Sequence, residues 1–262
     1  MVRNAASILL GVVVTVLGVG VVPAQAGPAT GPVREVVGGN VAGDGKFPWA
    51  VRLSMGCGGT MVAPQIVLTA GHCVDGTGKT GTITVTGGTA DLKAKSAVTA
   101  RSERVIRAAG FKDEIHGDDW ALVRLDHPLA LPVLPLAEEE VGSGPYVVMG
   151  WGQLREDSMH QERKLHYARV PIVSDVRCAA AYKKAGVKLV AAEQFCAGTP
   201  AADTCQGDSG GPMVGQNAAG EWMQFGIVSW GLGCARDGYP GVYTQISTFR
   251  RDIQAAILKL SR

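Results

Sequence analysis

The sequence predicts an all-β protein: two antiparallel six-stranded β-barrels, with a short intermediate helix and a C-terminal helix. Three observations carry this expectation. Glycine supplies 36 of the 262 residues, about twice the ordinary usage of roughly 7%, so tight turns between short strands are favoured. Apolar segments of strand length fall into two sets, separated by Gly, Asp and Lys. Only two stretches look helical, one by its capping serine and one by its apolar face.

The elements follow in order. Residues 1–26 read as a secretory signal. Arg3 gives the positive start, Ala5 to Val22 is apolar, and Ala24-Gln25-Ala26 is a small-x-small cleavage site. An apolar run of that length is also long enough to suggest a membrane anchor; the Pro23 break and the cleavage site favour removal. Residues 27–35 are rich in Gly and Pro and read as a propeptide. Residues 36–135 hold the first set of strands, at 50–53, 59–63, 66–70, 81–86, 97–106 and 121–125. Pro132, Pro135 and Glu138-Glu139-Glu140 mark a solvated linker. Residues 136–262 hold the second set, at 146–150, 165–171, 194–197, 212–214, 223–229 and 241–246. The helices are expected at 174–185, with Ser174 as cap, and at 247–260, with Ser247 as cap. In the second, Phe249, Ile253, Ile257 and Leu260 share one face.

Composition narrows the function classes. Hydrophobic residues are 46% and charged residues 18%, the balance of a globular chain. Net charge is only +2, and the absence of any basic block argues against nucleic acid as a partner. Six cysteines fit three disulfides and an oxidising compartment. No Cys-x-x-Cys pair is present, which weakens zinc and thioredoxin readings.

The chemistry concentrates in Asp203-Thr204-Cys205-Gln206-Gly207-Asp208-Ser209-Gly210-Gly211-Pro212. Glycines let the backbone turn tightly and let a ligand approach it. N–H groups in such a turn can converge on a developing negative charge. A serine there needs a histidine base and a buried carboxylate. His72 ends the apolar strand Ile66-Val67-Leu68-Thr69-Ala70 and precedes Cys73, which could tie down that corner. The carboxylate lies in Gly117-Asp118-Asp119-Trp120-Ala121-Leu122-Val123. Asp118 and Asp119 both enter an apolar strand, and the residues alone do not separate them.

Thr69-Ala70-Gly71-His72-Cys73, Asp119-Trp120-Ala121-Leu122 and Gly207-Asp208-Ser209-Gly210-Gly211-Pro212 resemble the chymotrypsin family of serine proteases, and secreted bacterial trypsins within it. The resemblance runs from Val36 to the C-terminus. Gly71 departs from it, since the family usually has Ala there. The resemblance implies Ser209 as nucleophile, His72 as general base and Asp119 as its orienting acid, with Asp118 a solvated neighbour. The N–H groups of Gly207 and Ser209 form the implied oxyanion hole. Asp203 is the implied pocket floor selecting Arg or Lys, between walls at Gly231 and Gly241. Ser229-Trp230-Gly231 is the implied edge for substrate backbone.

The same resemblance implies the disulfides Cys57–Cys73, Cys178–Cys196 and Cys205–Cys234, each worth roughly 3 kcal/mol in the chain-entropy model. It implies a zymogen cut before Val36, whose new ammonium pairs with Asp208. No cofactor is expected. No metal is expected either: only Asp91 is acidic in the loop 87–96, and Asp175 and Glu193 read as surface acids. The expected protein is a secreted, extracellular monomer with no membrane contact after signal removal. Its expected partners are protein and peptide substrates with Arg or Lys before the cut, an activating protease, and protein inhibitors. The main rival is an inactive binding protein on the same fold. A disulfide-bonded adhesive β-sandwich would explain the strands but not the three motifs in order.

Overall fold

Short strands follow one another through residues 37–262, the part of the chain that the computed structural model describes. The signal and propeptide expectations, and Val36, lie outside the described residues. The strands of the first half are β1 (Asn40–Val41), β2 (Ala50–Leu53), β3 (Gly58–Ala63), β4 (Ile66–Thr69), β5 (Gly78–Lys79), β6 (Thr84–Gly87), β7 (Val98–Arg107) and β8 (Ala121–Leu125). Those of the second are β9 (Tyr146–Gly150), β10 (His166–Val170), β11 (Ile172–Val173), β12 (Gln194–Ala197), β13 (Pro212–Gln216), β14 (Trp222–Trp230) and β15 (Gly241–Gln245). Two helices complete the chain, α1 (Asp175–Lys184) and α2 (Ile246–Leu260).

The first sheet runs β5-β7-β6-β2-β3-β4-β8, and a β7–β8 pairing closes it. Six strands thus form a barrel, with β5 as an added edge. Closure removes the open strand edges that would otherwise template aggregation. The barrel is filled by β-branched and long apolar side chains, among them Val51, Leu53, Met61, Leu68, Leu122 and Leu125. In β7 the inward set shifts from Ala100 and Ser102 to Val105. A register irregularity between Ser102 and Arg104 causes it; one extra residue turns a strand's alternation over.

The second sheet runs β1-β10-β9-β13-β14-β15-β12-β11. It curls around Tyr146, Val148, Phe195, Met213 and Tyr243 without a pairing between its ends. The strands absent from the sequence reading, β1, β5 and β11, are each two residues long. They have no period to detect.

Both helices form where expected, with one change of cap. Ser174 occupies the N-cap position of α1, although its side chain makes no capping bond there. Gln245, not Ser247, precedes α2, and Ser247 lies inside its first turn. The buried stripe of α2 is Ile246, Phe249, Ile253, Ala256 and Leu260. Those residues join the core of the first barrel. The C-terminus of the chain therefore closes over its N-terminal half.

The expected linker is a strap, not a loose segment. Leu134 N–H donates to Met61 O at 2.8 Å, and Ala137 N–H donates to Gln224 O at 2.9 Å. Leu134 and Ala137 are buried, so the strap is stitched to both sheets. Its acidic end is solvated, as are Pro132, Val133 and Pro135, and there Glu138 meets Arg250 of α2 at 2.5 Å.

Candidate active site

β4 ends at Thr69, and a single 3-10 turn, Gly71–Cys73, carries His72 away from the barrel wall. The Cys57–Cys73 disulfide fixes the far side of that turn, across a Cα–Cα distance of 6.3 Å. A Cβ on Gly71 would lie 3.0 Å from Phe111 Cδ2 and 3.2 Å from Asp119 Oδ1. Phe111 thus occupies the space that a larger residue would need.

The structure separates the two aspartates. Asp119 is fully buried and bonds His72 twice: the backbone N–H donates to Oδ1 at 2.8 Å, and Nδ1 lies 2.9 Å from Oδ2. A carboxylate held to Nδ1 puts the ring proton there, leaving Nε2 as an acceptor. Ser229 Oγ also donates to Asp119 Oδ2, at 2.5 Å, and Thr244 Oγ1 donates to its backbone carbonyl at 3.0 Å. Asp118 turns the other way. Its φ is +52°, and its N–H donates to Glu193 Oε2 at 2.9 Å. It is half-buried rather than solvated, and burial together with the charge of Asp252 raises its pKa.

Burial alone would push the His72 imidazole below its ordinary pKa. The hydrogen bond and charge of Asp119, with the charge of Glu114, outweigh that and raise it. His72 and Ser209 open on one cavity of about 260 Å³, also bordered by Cys205, Trp230, Gly231 and Gly241. No hydrogen bond joins Ser209 Oγ to the ring among the described residues; such bonds often tighten only when substrate is bound.

The loop around Ser209 is held by its own backbone. Asp208, Gly210 and Gly211 donate their N–H groups to Cys205 O, Val228 O and Asp208 O, at 3.0, 2.8 and 2.9 Å. The N–H groups of Gly207 and Ser209 have no acceptor among the described residues. Gly210 has φ +79°, and a Cβ there would lie 2.1 Å from Thr69 Oγ1. Only glycine lets the loop pass so close to the β4 corner.

Two more buried acids stand behind the cleft. Asp208 takes the N–H of Gly152 at 2.8 Å and that of Cys205 at 3.0 Å. Burial pushes its pKa up to about 6 against those bonds and the nearby charge of Arg52. Asp203 takes the N–H of Thr204 and of Ala235, each at 2.8 Å. Its pKa is pushed up to about 7, chiefly by burial. Asp203 borders a second cavity of about 660 Å³, with Arg236 and Pro240, rather than the cleft cavity itself. Gly241 is the wall between: it lines the cleft, and a Cβ there would lie 2.8 Å from Asp203 Oδ1.

The three expected disulfides are formed, Cys178–Cys196 and Cys205–Cys234 among them. Cys205–Cys234 joins the loop before Ser209 to the wall after Trp230. One group of three metal-capable side chains exists among the described residues, Cys57, His72 and Cys73. Both sulfurs are in the disulfide, which leaves no thiolate for an ion. Asp91 pairs with Arg163 at 2.9 Å.

The sequence reading passed over Arg52 and Gln161. Arg52 Nη1 donates to Gly207 O at 2.8 Å, and Nη2 bonds Gln161 Oε1. One signal was available: a guanidinium in β2, whose other three residues are buried.

A buried acid orienting a histidine beside a serine loop with open N–H groups defines a class, the serine hydrolases built on a closed β-barrel and a second, curled sheet. Residues 36–253 match the family model described as Trypsin. A "Trypsin-like protease" of Streptomyces glaucescens is 48% identical over 225 residues, covering 85% of this chain and 82% of that protein. "Serine protease 56" of Mus musculus and its Homo sapiens counterpart are each 36% identical over 237 residues. The alignment spans 38% of the length of either. The chain belongs to the trypsin family and is a serine endopeptidase.

Proposed function

We propose that this protein is a secreted, trypsin-like endopeptidase that cuts after Arg or Lys and is made as a zymogen. The observation that carries the reading is the arrangement at His72. A fully buried carboxylate fixes the ring through Nδ1, and the ring shares a cavity with Ser209.

In this reading His72 Nε2 takes the Ser209 proton as Oγ attacks the scissile carbonyl. The substrate oxygen moves onto the Gly207 and Ser209 N–H groups, which have no other acceptor among the described residues. His72 then returns the proton to the leaving amine, and water repeats the sequence on the acyl-enzyme. Asp119 stays ionised and stabilises the imidazolium. One donor of such a hole is worth about 3–4 kcal/mol of barrier. Trp230 and Gly231 border the cavity and would receive substrate backbone as an added strand.

Asp203 supports the basic preference. It is a buried acid without a cationic side chain bonded to it among the described residues, held at the wall of the cleft. A substrate guanidinium or ammonium would supply the missing charge.

Two features support activation before Val36. Val37 O accepts the Asp203 N–H at 3.0 Å, so the chain enters beside the nucleophile loop. Gly38 passes so tightly that a Cβ would lie 1.4 Å from Ala201 O. In this reading the freed ammonium of Val36 pairs with the buried carboxylate of Asp208. Secretion rests on the signal-like residues 1–26; no helix among the described residues is long and apolar enough to cross a membrane. The proposed barrel boundary lies at residues 135 and 136, within the strap.

The test is a fluorophosphonate label followed by a peptide-library profile of the mature form. Labelling at Ser209 with cleavage after Arg or Lys is expected. An unlabelled Ser209 would favour a non-catalytic binding protein, and a profile without basic residues would remove Asp203 from its role.

A further inference from the structure

Arg52 stands where a charge is costly. Its strand neighbours Ala50, Val51 and Leu53 are buried, and burial holds its guanidinium below the ordinary pKa despite the charge of Asp208. Such a group persists in a strand when its hydrogen bonds are used. One end of this guanidinium is used on the nucleophile loop and the other on Gln161, which packs against that loop. Nη1 donates to Gly207 O at 2.8 Å, and Nη2 bonds Gln161 Oε1. Gln161 in turn donates through Nε2 to Gly56 O at 3.2 Å.

Gly207 is the residue this network encloses. Its φ is +99°, a backbone region open to glycine, and glycine leaves that region easily. A Cβ there would lie 2.4 Å from Gln161 Nε2, so the Gln161 side chain lies against the Cα of Gly207. Arg52 holds the carbonyl and Gln161 blocks the other face. The carbonyl and the N–H of one residue turn about the same Cα. Fixing the carbonyl therefore limits where the N–H can point, and that N–H has no acceptor of its own among the described residues.

We propose that Arg52 is a positioning residue for the oxyanion hole, pinning the Gly207 carbonyl so that the Gly207 N–H stays presented with that of Ser209. The inference rests on the reading of those two N–H groups given above. Arg52 does not touch substrate. It acts by denying Gly207 its other conformations, so that the hole is formed before substrate arrives.

The experiment compares two inhibitors in the mature enzyme. A peptide aldehyde ending in arginine adds to Ser209 as a hemiacetal whose oxygen needs the hole. Benzamidine needs only the acidic pocket at Asp203. Arg52→Met is expected to lower kcat and aldehyde affinity together, by about 10- to 100-fold, with benzamidine affinity within about twofold. Arg52→Lys keeps the charge but cannot reach both acceptors, so a smaller loss in the same two readouts is expected. Methylguanidinium added to Arg52→Ala should restore part of kcat. Retained benzamidine binding shows that a variant is folded, and Arg52→Lys carries the test if Arg52→Met is not. Unchanged aldehyde affinity in the folded variants would overturn the proposal. A parallel loss of benzamidine binding in Arg52→Lys would also overturn it, since the effect would then be on the fold or the pocket. Failure of the underlying reading looks different: the unmodified enzyme itself would hold the aldehyde no better than a non-reactive analogue.

Discussion

Asp203 sits near its own midpoint at neutral pH, and this makes cation binding pH-dependent in a calculable way. Burial raises its pKa to about 7 against the N–H groups that favour the anion, with Asp208 adding in the same direction. A bound amidinium favours the carboxylate, so binding must deprotonate it. With a free pKa of about 7, the ionised fraction is about 0.9 at pH 8 and about 0.1 at pH 6. Benzamidine affinity should therefore fall about tenfold between those values, about 1.4 kcal/mol. The measurement is calorimetry in His72→Ala, which removes the neighbouring imidazolium from the comparison. Two buffers of different ionisation enthalpy should report about half a proton released at pH 7. Asp203→Asn should lose the slope, and most of the affinity with it. A flat profile in His72→Ala, or an equal slope in Asp203→Asn, would refute the reasoning.

Other outcomes follow from the same groups. Glu114 raises the His72 pKa through its charge, and His72 acts as base only when neutral. Glu114→Gln should therefore move the rising limb of the pH–rate profile to lower pH, and a limb that moves up or stays would contradict it. Ile253→Ala should destabilise the protein by about 2–5 kcal/mol in denaturant unfolding, because α2 completes the first core. Exposed Leu258→Ala should change stability by less than about 0.5 kcal/mol. Activation should not be autocatalytic: Glu35 precedes Val36, and Asp203 repels an acidic side chain. Cutting after Arg34 leaves the ammonium one residue, roughly 3.5 Å, out of place, so activation needs a Glu-specific protease or an aminopeptidase that then trims Glu35. Incubating the pro-form with mature enzyme and with a Glu-specific protease should give active, Val36-terminated protein only in the second case; efficient activation with Glu35 retained would refute this.

The serine loop was legible because its residues stand in one run, Asp203 to Pro212. Why Gly210 can have no side chain was not, since a Cβ there would meet Thr69, Gly58 and Ala70, far away in the chain. Asp118 and Asp119 could not be told apart from the residues alone, because both precede the same apolar strand. What separates them is a backbone turn, φ +52° at Asp118, which sends one carboxylate into the protein and the other away from it. The α2 stripe was visible, yet periodicity says only that a face is buried, not against what. Its partner is the barrel at the other end of the chain. Arg52 was illegible for the same reason in stronger form. Its two acceptors lie 155 and 109 residues away in sequence, and no spacing rule reaches so far. A local motif can name the atoms that react, but the groups that hold them in place come from wherever the fold brings a donor. In this protein that donor is on β2, in the first barrel, while the loop it holds lies in the chain's second half. The two halves of the chain are therefore joined at the Gly207 carbonyl, and on the proposed role of that residue a change confined to β2 should be felt in kcat without any contact with substrate.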